Sequence, residues 1–338
     1  MIGLETIREC FRFNDWAWGR LLAVAAPLSG AQLDRPFAMG EGSLRATLRH
    51  LYGAERNWLV RWRGTDQPQF PHARDITALD ALGHAFQALA AERDADAAAL
   101  DLKRPCTFTK PEGHTYTFAL GDVLLHVCNH GVHHRAQAVN MLRRLGVPPL
   151  KPGLDYIFMR LDDPTAPPAL DGATLRAYYA YADWARGRVH AAAVTLTDEQ
   201  LDRQFDLGVG SLRATLLHIA VAEQWWLDNW TRGPGCLFPA TDERLPITEI
   251  TRRFDRTVAQ RDEMLARMTD ASLQRIVAAT PRPDVQRSFP LGVTMLQLCC
   301  HGTHHRAQAL NMLRHVGANV PELDYLDMVH ERTETREP

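Results

Sequence analysis

The chain contains no apolar run approaching the roughly 18 residues that a membrane span needs, so no span is expected. Its opening stretch, MIGLETIREC, carries charge early and lacks an apolar core, so no signal peptide is expected either. Net charge is nearly absent: 38 Lys and Arg stand against 40 Asp and Glu, giving −2. That balance argues against a non-specific nucleic-acid binder and against a membrane-surface protein. Cysteine is scarce. Cys10, Cys106, Cys128, Cys236, Cys299 and Cys300 show no CxxC spacing and no disulfide framework. Reduced thiols and a cytoplasmic location are the expectation.

What is present is an ordinary globular composition, with 46% hydrophobic and 23% charged residues in 338. That length suits two domains, each able to bury its own core. The sequence repeats itself to match. HGVHHRAQAVNMLRRLG from His130 returns as HGTHHRAQALNMLRHVG from His301, identical at 13 of 17 positions. No proline interrupts either copy, and Ala, Gln, Met, Leu and Arg favour helix. Gly146 and Gly317 stand where a C-cap glycine belongs.

The other helices repeat as well. SLRATLRHLYGAERNWLVRW from Ser43 matches SLRATLLHIAVAEQWWLDNW from Ser211 at 12 of 20 positions, with Ser43 a good N-cap. FNDWAWGRLL from Phe13 returns as YADWARGRVH from Tyr181, so Asp15-Trp16 and Asp183-Trp184 correspond and their aromatics read as core. The first helix is expected over Leu4 to Ala26, the third over Asp75 to Ala99 and its counterpart over Ile247 to Met268. Lys103 to Phe118, around Pro111-Glu112-Gly113, and Arg275 to Phe289 fit short hairpins. The fourth helix begins near Leu120 or Leu291. These features predict an all-α chain: a first four-helix bundle over 1–161, a linker over 162–170, a second bundle over 171–330 and a charged, disordered tail over 331–338. The two bundles are expected to be related by an internal pseudo-two-fold.

Three histidines recur in register. His50 corresponds to His218, His130 to His301 and His134 to His305. With about 100° per residue, His130 and His134 lie roughly 40° apart on one helical stripe, a spacing at which two imidazoles can meet one metal ion. A third imidazole from a second helix leaves open positions for water or substrate, the catalytic rather than the structural pattern. Zn, Ni, Fe and Mn all suit such a set. His133 and His304 sit three residues after the first ligand. Either could replace the i+4 residue, but a hydrogen bond to a ligand is the role expected. His126 lies on the stripe in one repeat only, with Gln297 opposite it, and is not expected to be a required ligand. Gln137 and Gln308 are placed to hold bound water or a ligand histidine, or to bond between helices. Glu55 and Glu223 point away from the site and read as surface or inter-helix partners. Cys128 and Cys299 fall on the wrong face for ligation and read as packed thiols.

The HxxHHRAQ core, the SLRATLRHLYGAERNWL helix and the NDWAWGRLL helix together resemble the DinB/YfiT-like superfamily, over nearly the whole chain and twice. The resemblance implies four-helix bundles, each with a divalent metal held by His50, His130 and His134 or by His218, His301 and His305. It also implies relatives among thiol S-transferases and isomerases that use low-molecular-weight bacterial thiols. A single-domain dimer is usual there, and this chain fuses two copies. The expected function is therefore a metal-dependent thiol S-transferase acting on small electrophiles, with a low-molecular-weight thiol as second cofactor. A thiol held by the ion would be the nucleophile, since no cysteine lies on the stripe. The alternatives are a non-enzymatic metal-binding stress-response module and a metal-dependent hydrolase. The ligand faces offer the hydrolase no carboxylate as general base. Expected partners are a small-molecule substrate, with neither nucleic acid nor membrane, for a monomer acting as an internal pseudo-dimer.

Overall fold

Ser43 and Ser211 show how alike the two repeats are locally. The computed structural model describes residues 2–64, 71–97, 100–110, 113–163, 165, 168–233, 236–241, 243–282 and 284–334. In it each serine holds extended backbone and accepts the amide three residues on, Ala46 N or Ala214 N, at 3.2 Å. One orphan donor of each helix is thereby satisfied.

Among the described residues the chain forms twelve α-helices and two antiparallel hairpins. The first half runs α1 (Leu4–Ala25), α2 (Gly30–Leu33), α3 (Leu44–Arg63), α4 (Leu79–Ala97), β1 (Pro105–Thr109), β2 (Thr115–Ala119), α5 (Leu120–Arg144) and α6 (Tyr156–Asp162). The second runs α7 (Gly172–Ala193), α8 (Asp198–Asp202), α9 (Leu212–Thr231), α10 (Ile247–Arg267), β3 (Ile276–Arg282), β4 (Val285–Pro290), α11 (Leu291–His315) and α12 (Tyr325–Glu334). The expected all-α architecture is present. The long helices close the same ring twice: α1 on α5, α5 on α3, α3 on α4 and α4 on α1, then α7, α11, α9 and α10 in the same order. The third helix starts later than Asp75 because Ala73–Asp75 forms a separate 3₁₀ turn.

The hairpins lie where alternation placed them. Thr107 pairs with Thr117 and Thr109 with Thr115 across β1 and β2, their hydroxyls 2.8 and 2.9 Å apart. Gly146 and Gly317 close α5 and α11 with positive φ, +81° and +76°. Their amides bond Arg143 O and Arg314 O, and the next amides reach Leu142 O and Leu313 O, the paired bonds of a Schellman end. Pro111 and Glu112 of the first turn, Pro283 of the second, residues 164, 166 and 167 of the expected linker and the tail residues 335–338 lie outside the described residues.

The chain divides into two compact units that do not coincide with the sequence repeats. One comprises Ile2–Gly153 and the chain from Asp324 onward; the other comprises Leu154–Leu323. The expected first bundle ran to residue 161, but α6 packs on α11 in the second unit, and α12 packs on α5 in the first. Polar contacts explain the assignment. Gln297 of α11 donates to Asp155 Oδ1 (2.9 Å) and accepts Ile157 N (2.9 Å). In the first unit Asp324 Oδ1 lies 2.8 Å from His126 Nδ1, and the Tyr325 hydroxyl donates to Asp122 Oδ1 at 3.0 Å. The segment expected to begin a disordered tail at residue 331 is helical through Glu334, as the end of α12.

Buried ions tie each ring together. The Arg93 guanidinium, 1% exposed, donates to Asp15 Oδ1 (3.1 Å) and Oδ2 (2.6 Å) and to Glu55, joining α4 to α1 and α3. Arg261 repeats this with Asp183 Oδ1 (3.2 Å) and Oδ2 (2.5 Å), and stands 3.6 Å from Glu223. Burial works against both guanidinium charges, but the flanking carboxylates outweigh it and hold both well above the usual range. Glu55 and Glu223 are therefore buried inter-helix partners, not surface groups. Removing one member of such a set costs about 3–5 kcal/mol, because the others are left buried and uncompensated.

His190, on α7, is 4% exposed beside Phe254 (5.2 Å between ring centroids), and its Nδ1 donates to Thr251 Oγ1 at 2.7 Å. Burial, helped by Arg186, lowers its pKa to about 4. The folded state keeps it neutral, so its stabilisation is complete above pH 6.5 and is lost as pH falls through 4. Between pH 7.5 and pH 4, wild-type protein should lose about 3 kcal/mol more unfolding free energy than His190→Gln in parallel urea titrations. Parallel curves across that window would refute the assignment.

Candidate metal centre

α3 brings His50, and α5 brings His130 and His134, to one side of the first unit; α9 brings His218, and α11 His301 and His305, to one side of the second. One nitrogen from each of the three rings lies within 4.8 Å of the others in both sets. His50 Nε2 is 3.0 Å from His130 Nε2, and His218 Nε2 is 3.1 Å from His301 Nε2. Two nitrogens bound at about 2.0–2.1 Å to one ion stand roughly 2.9–3.4 Å apart for bond angles between square and tetrahedral. The pairs already stand at that separation. The stripe drawn on the sequence therefore comes together in space, with the second-helix histidine facing it.

Gln137 and Gln308 set the third ring. The Gln137 Oε1 accepts the Nδ1–H of His134 at 2.8 Å, and its Nε2 donates to His133 Nε2 at 3.1 Å. Gln308 does the same between His305 (2.8 Å) and His304 (3.0 Å). A proton fixed on Nδ1 leaves the Nε2 lone pair of His134 or His305 free for a metal. His133 and His304 thus bond the glutamines that hold His134 and His305. A glycine presses on each glutamine. A Cβ at Gly40 (φ +50°) would sit 2.7 Å from Gln137 Oε1, and one at Gly208 (φ +54°) 2.3 Å from Gln308 Oε1. Nothing in the sequence pattern linked these loop glycines to the site; they became visible only once the loops before α3 and α9 were placed.

Every imidazole in the clusters is held below its ordinary pKa. Burial is the main cause for His130 and His301, with neighbouring rings adding to it. Burial, then His133 and His50, lowers His134 to about 2; burial, then His304 and His218, lowers His305 to about 3. Burial also lowers His50 and His218 against the opposing pull of Glu41 and Asp155. All six rings are neutral at pH 7, the form in which imidazole offers a lone pair.

The remaining sequence candidates fall outside the clusters. His126 pairs with Asp324 and is not among the converging nitrogens. Cys128 and Cys299 are buried, at 2% and 3% exposure, and burial raises the Cys299 thiol well above its usual range. Glu41 was missed. Its carboxylate stands 3.6 Å from His50 Nδ1 and lines a cleft of about 570 Å³ with His50 and His130. It lies in the loop ahead of α3, where a search of helix faces does not reach.

The model of the DinB family matches residues 4–162 and again 171–337. The chain belongs to the DinB family. It carries two DinB copies in tandem, and the two histidine clusters occupy corresponding places in them. No protein of curated function and no solved structure is significantly similar to it. Among the described residues of this DinB chain, no helix is long and apolar enough to cross a membrane. The donor set of each copy, three neutral imidazoles with one tautomer fixed from behind, is compatible with a divalent ion.

If Gln137 orients His134, then Gln137→Leu should weaken metal binding at the first centre by about 10–100-fold, whereas Gln137→Glu, which keeps the acceptor, should restore most of it. Competition against a chromophoric chelator at pH 7 measures this. Equal affinity in wild type and Gln137→Leu would remove the glutamine from the site.

Proposed function

We propose that each DinB copy binds one divalent ion through its three histidines, and that the chain uses it in thiol transfer to a small electrophile. The observation that carries the metal assignment is the 3.0 and 3.1 Å approach of Nε2 atoms from two helices, with a third ring presented by a glutamine. The open face beside His50 and His130 is large enough for a small molecule.

An ion in such a site supplies positive charge that lowers the pKa of a thiol or water bound to it. The chain's own residues define what that charge acts on. Three imidazoles contribute no negative charge, so the ion's charge is left for the incoming group. Glutamine-fixed His134 and His305 keep the ligand geometry in place. Among the described residues no cysteine joins either cluster, and Cys128 and Cys299 are packed away from them. The thiol must therefore come from solution. Its S–H proton passes to water, its sulfur forms a bond to the electrophilic carbon, and the carbon–leaving-group bond breaks.

One observation favours a second reading for the first centre. Glu41 places a carboxylate beside His50 on the cleft wall, where it can take a proton from water in a hydrolysis. Val209 occupies the corresponding position of the second repeat, so this reading does not extend to both centres.

Cobalt-loaded protein separates the readings. With saturating 2-mercaptoethanol it should gain a sulfur-to-cobalt charge-transfer band, absent from His50→Ala/His218→Ala protein. An unchanged spectrum would end the thiol-transfer reading and leave the hydrolytic one, which Glu41→Gln would then test.

A further inference from the structure

The two centres share three histidines and differ in what surrounds them. The cleft beside His50 and His130 is lined by Arg49, Arg61 and Arg74. Arg49 donates to the Ala73 carbonyl oxygen at 2.7 Å. The Arg61 guanidinium lies over Trp58 (4.7 Å) and Phe108 (4.9 Å). Among the described residues, neither Arg49 nor Arg61 pairs with a carboxylate, and Arg74 reaches only its exposed neighbour Asp75 at 3.8 Å. Of the acids on the same wall, Asp324 faces His126 at 2.8 Å and Glu41 stands 3.6 Å from His50. Two guanidinium groups therefore line the cleft with no carboxylate partner among the described residues. The rings beneath Arg61 cover one face of its guanidinium, and burial pulls its pKa down.

The second repeat lacks these arginines. The shift of 168 residues places Leu217 where Arg49 stands, Asn229 where Arg61 stands and Trp225 where Asn57 stands. Leu217 and Asn229 are each 1% exposed, and the Asn229 amide donates to Trp225 O at 2.7 Å. Phe238 lies 5.9 Å from His218 and edge-on to Trp225 at 5.4 Å. The approach to His218 is aromatic where the approach to His50 is basic.

We infer that the first centre alone is a site for a small molecule bearing an oxyanion, carboxylate or phosphate, held at its arginine-lined wall with its other end toward His50 and His130. A guanidinium fork matches either group with two parallel hydrogen bonds. The aromatic rings beneath Arg61 exclude water from one side, which strengthens the attraction over that of a solvated surface arginine. The second centre, with Leu217 and Asn229 in these places, offers no such guanidinium. The two centres thus differ in substrate class. Only the orientation toward the histidines rests on the metal-binding reading; the anion subsite stands on the arginines.

The test uses the full-length, metal-free protein, so that it succeeds or fails independently of metal binding. Succinate and inorganic phosphate are titrated calorimetrically at low ionic strength. One equivalent per chain should bind, more weakly as salt is added, and Arg49→Gln/Arg61→Gln should lower the affinity by at least about tenfold. The tighter of the two probes assigns carboxylate or phosphate. If the double variant fails to fold, Arg61→Gln, altered at an exposed side chain, carries the test. No binding of either probe, two equivalents per chain, or an affinity unchanged in Arg61→Gln would overturn the inference.

Discussion

Two imidazole nitrogens about 3 Å apart, on different helices and half out of water, are the contact on which each unit depends. Such rings cannot both carry charge, and burial ensures that they do not. Holding them there requires α3 and α5, or α9 and α11, to keep a fixed separation and rotation. The Arg93 and Arg261 networks serve this from the far side, by tying α4 to α1 and α3, and α10 to α7 and α9. The glutamine relay works from behind, by fixing which nitrogen of His134 and His305 is bare. Each layer acts on the one in front of it, so the clusters are specified well beyond their six ligand candidates.

Much of this was legible from the chain because helical periodicity and repetition report on the same residues. His130 and His134 share a stripe by spacing, and His50 was singled out by returning as His218 at the same shift. The caps were equally readable: Ser43, Ser211, Gly146 and Gly317 play the parts their chemistry suggests. What was not legible depends on which segments meet in space. Surface and inter-helix roles for Glu55 could not be told apart, because nothing local announces that Arg93, 38 residues away, will be buried against it. Glu41 and Gly40 sit in a loop, where no period marks a face.

A Leu-Asp-Tyr segment follows the long helix of each repeat, GLDYIFM from Gly153 and ELDYLDM from Glu322. Repetition assigns GLDYIFM to the first repeat and ELDYLDM to the second, and that is correct as a statement of sequence. Packing assigns each to the other unit, because Asp155 meets Gln297 and Asp324 meets His126. The same partners explain why position 126 and position 297 diverged. One is histidine and one glutamine, but both offer a donor to an aspartate, so neither needed to be a ligand. Divergence around the clusters follows a similar logic. The histidines match between the repeats while Leu217, Trp225 and Asn229 stand where Arg49, Asn57 and Arg61 stand, which leaves the candidate donor set the same and changes what reaches it.

Each histidine cluster should hold one ion. Elemental analysis of untagged protein, reconstituted with zinc and desalted, measures it directly. Two ions per chain are predicted, with His134→Ala retaining one and His134→Ala/His305→Ala retaining none. A wild-type chain that holds one ion or none, or a double variant that still holds two, would contradict it.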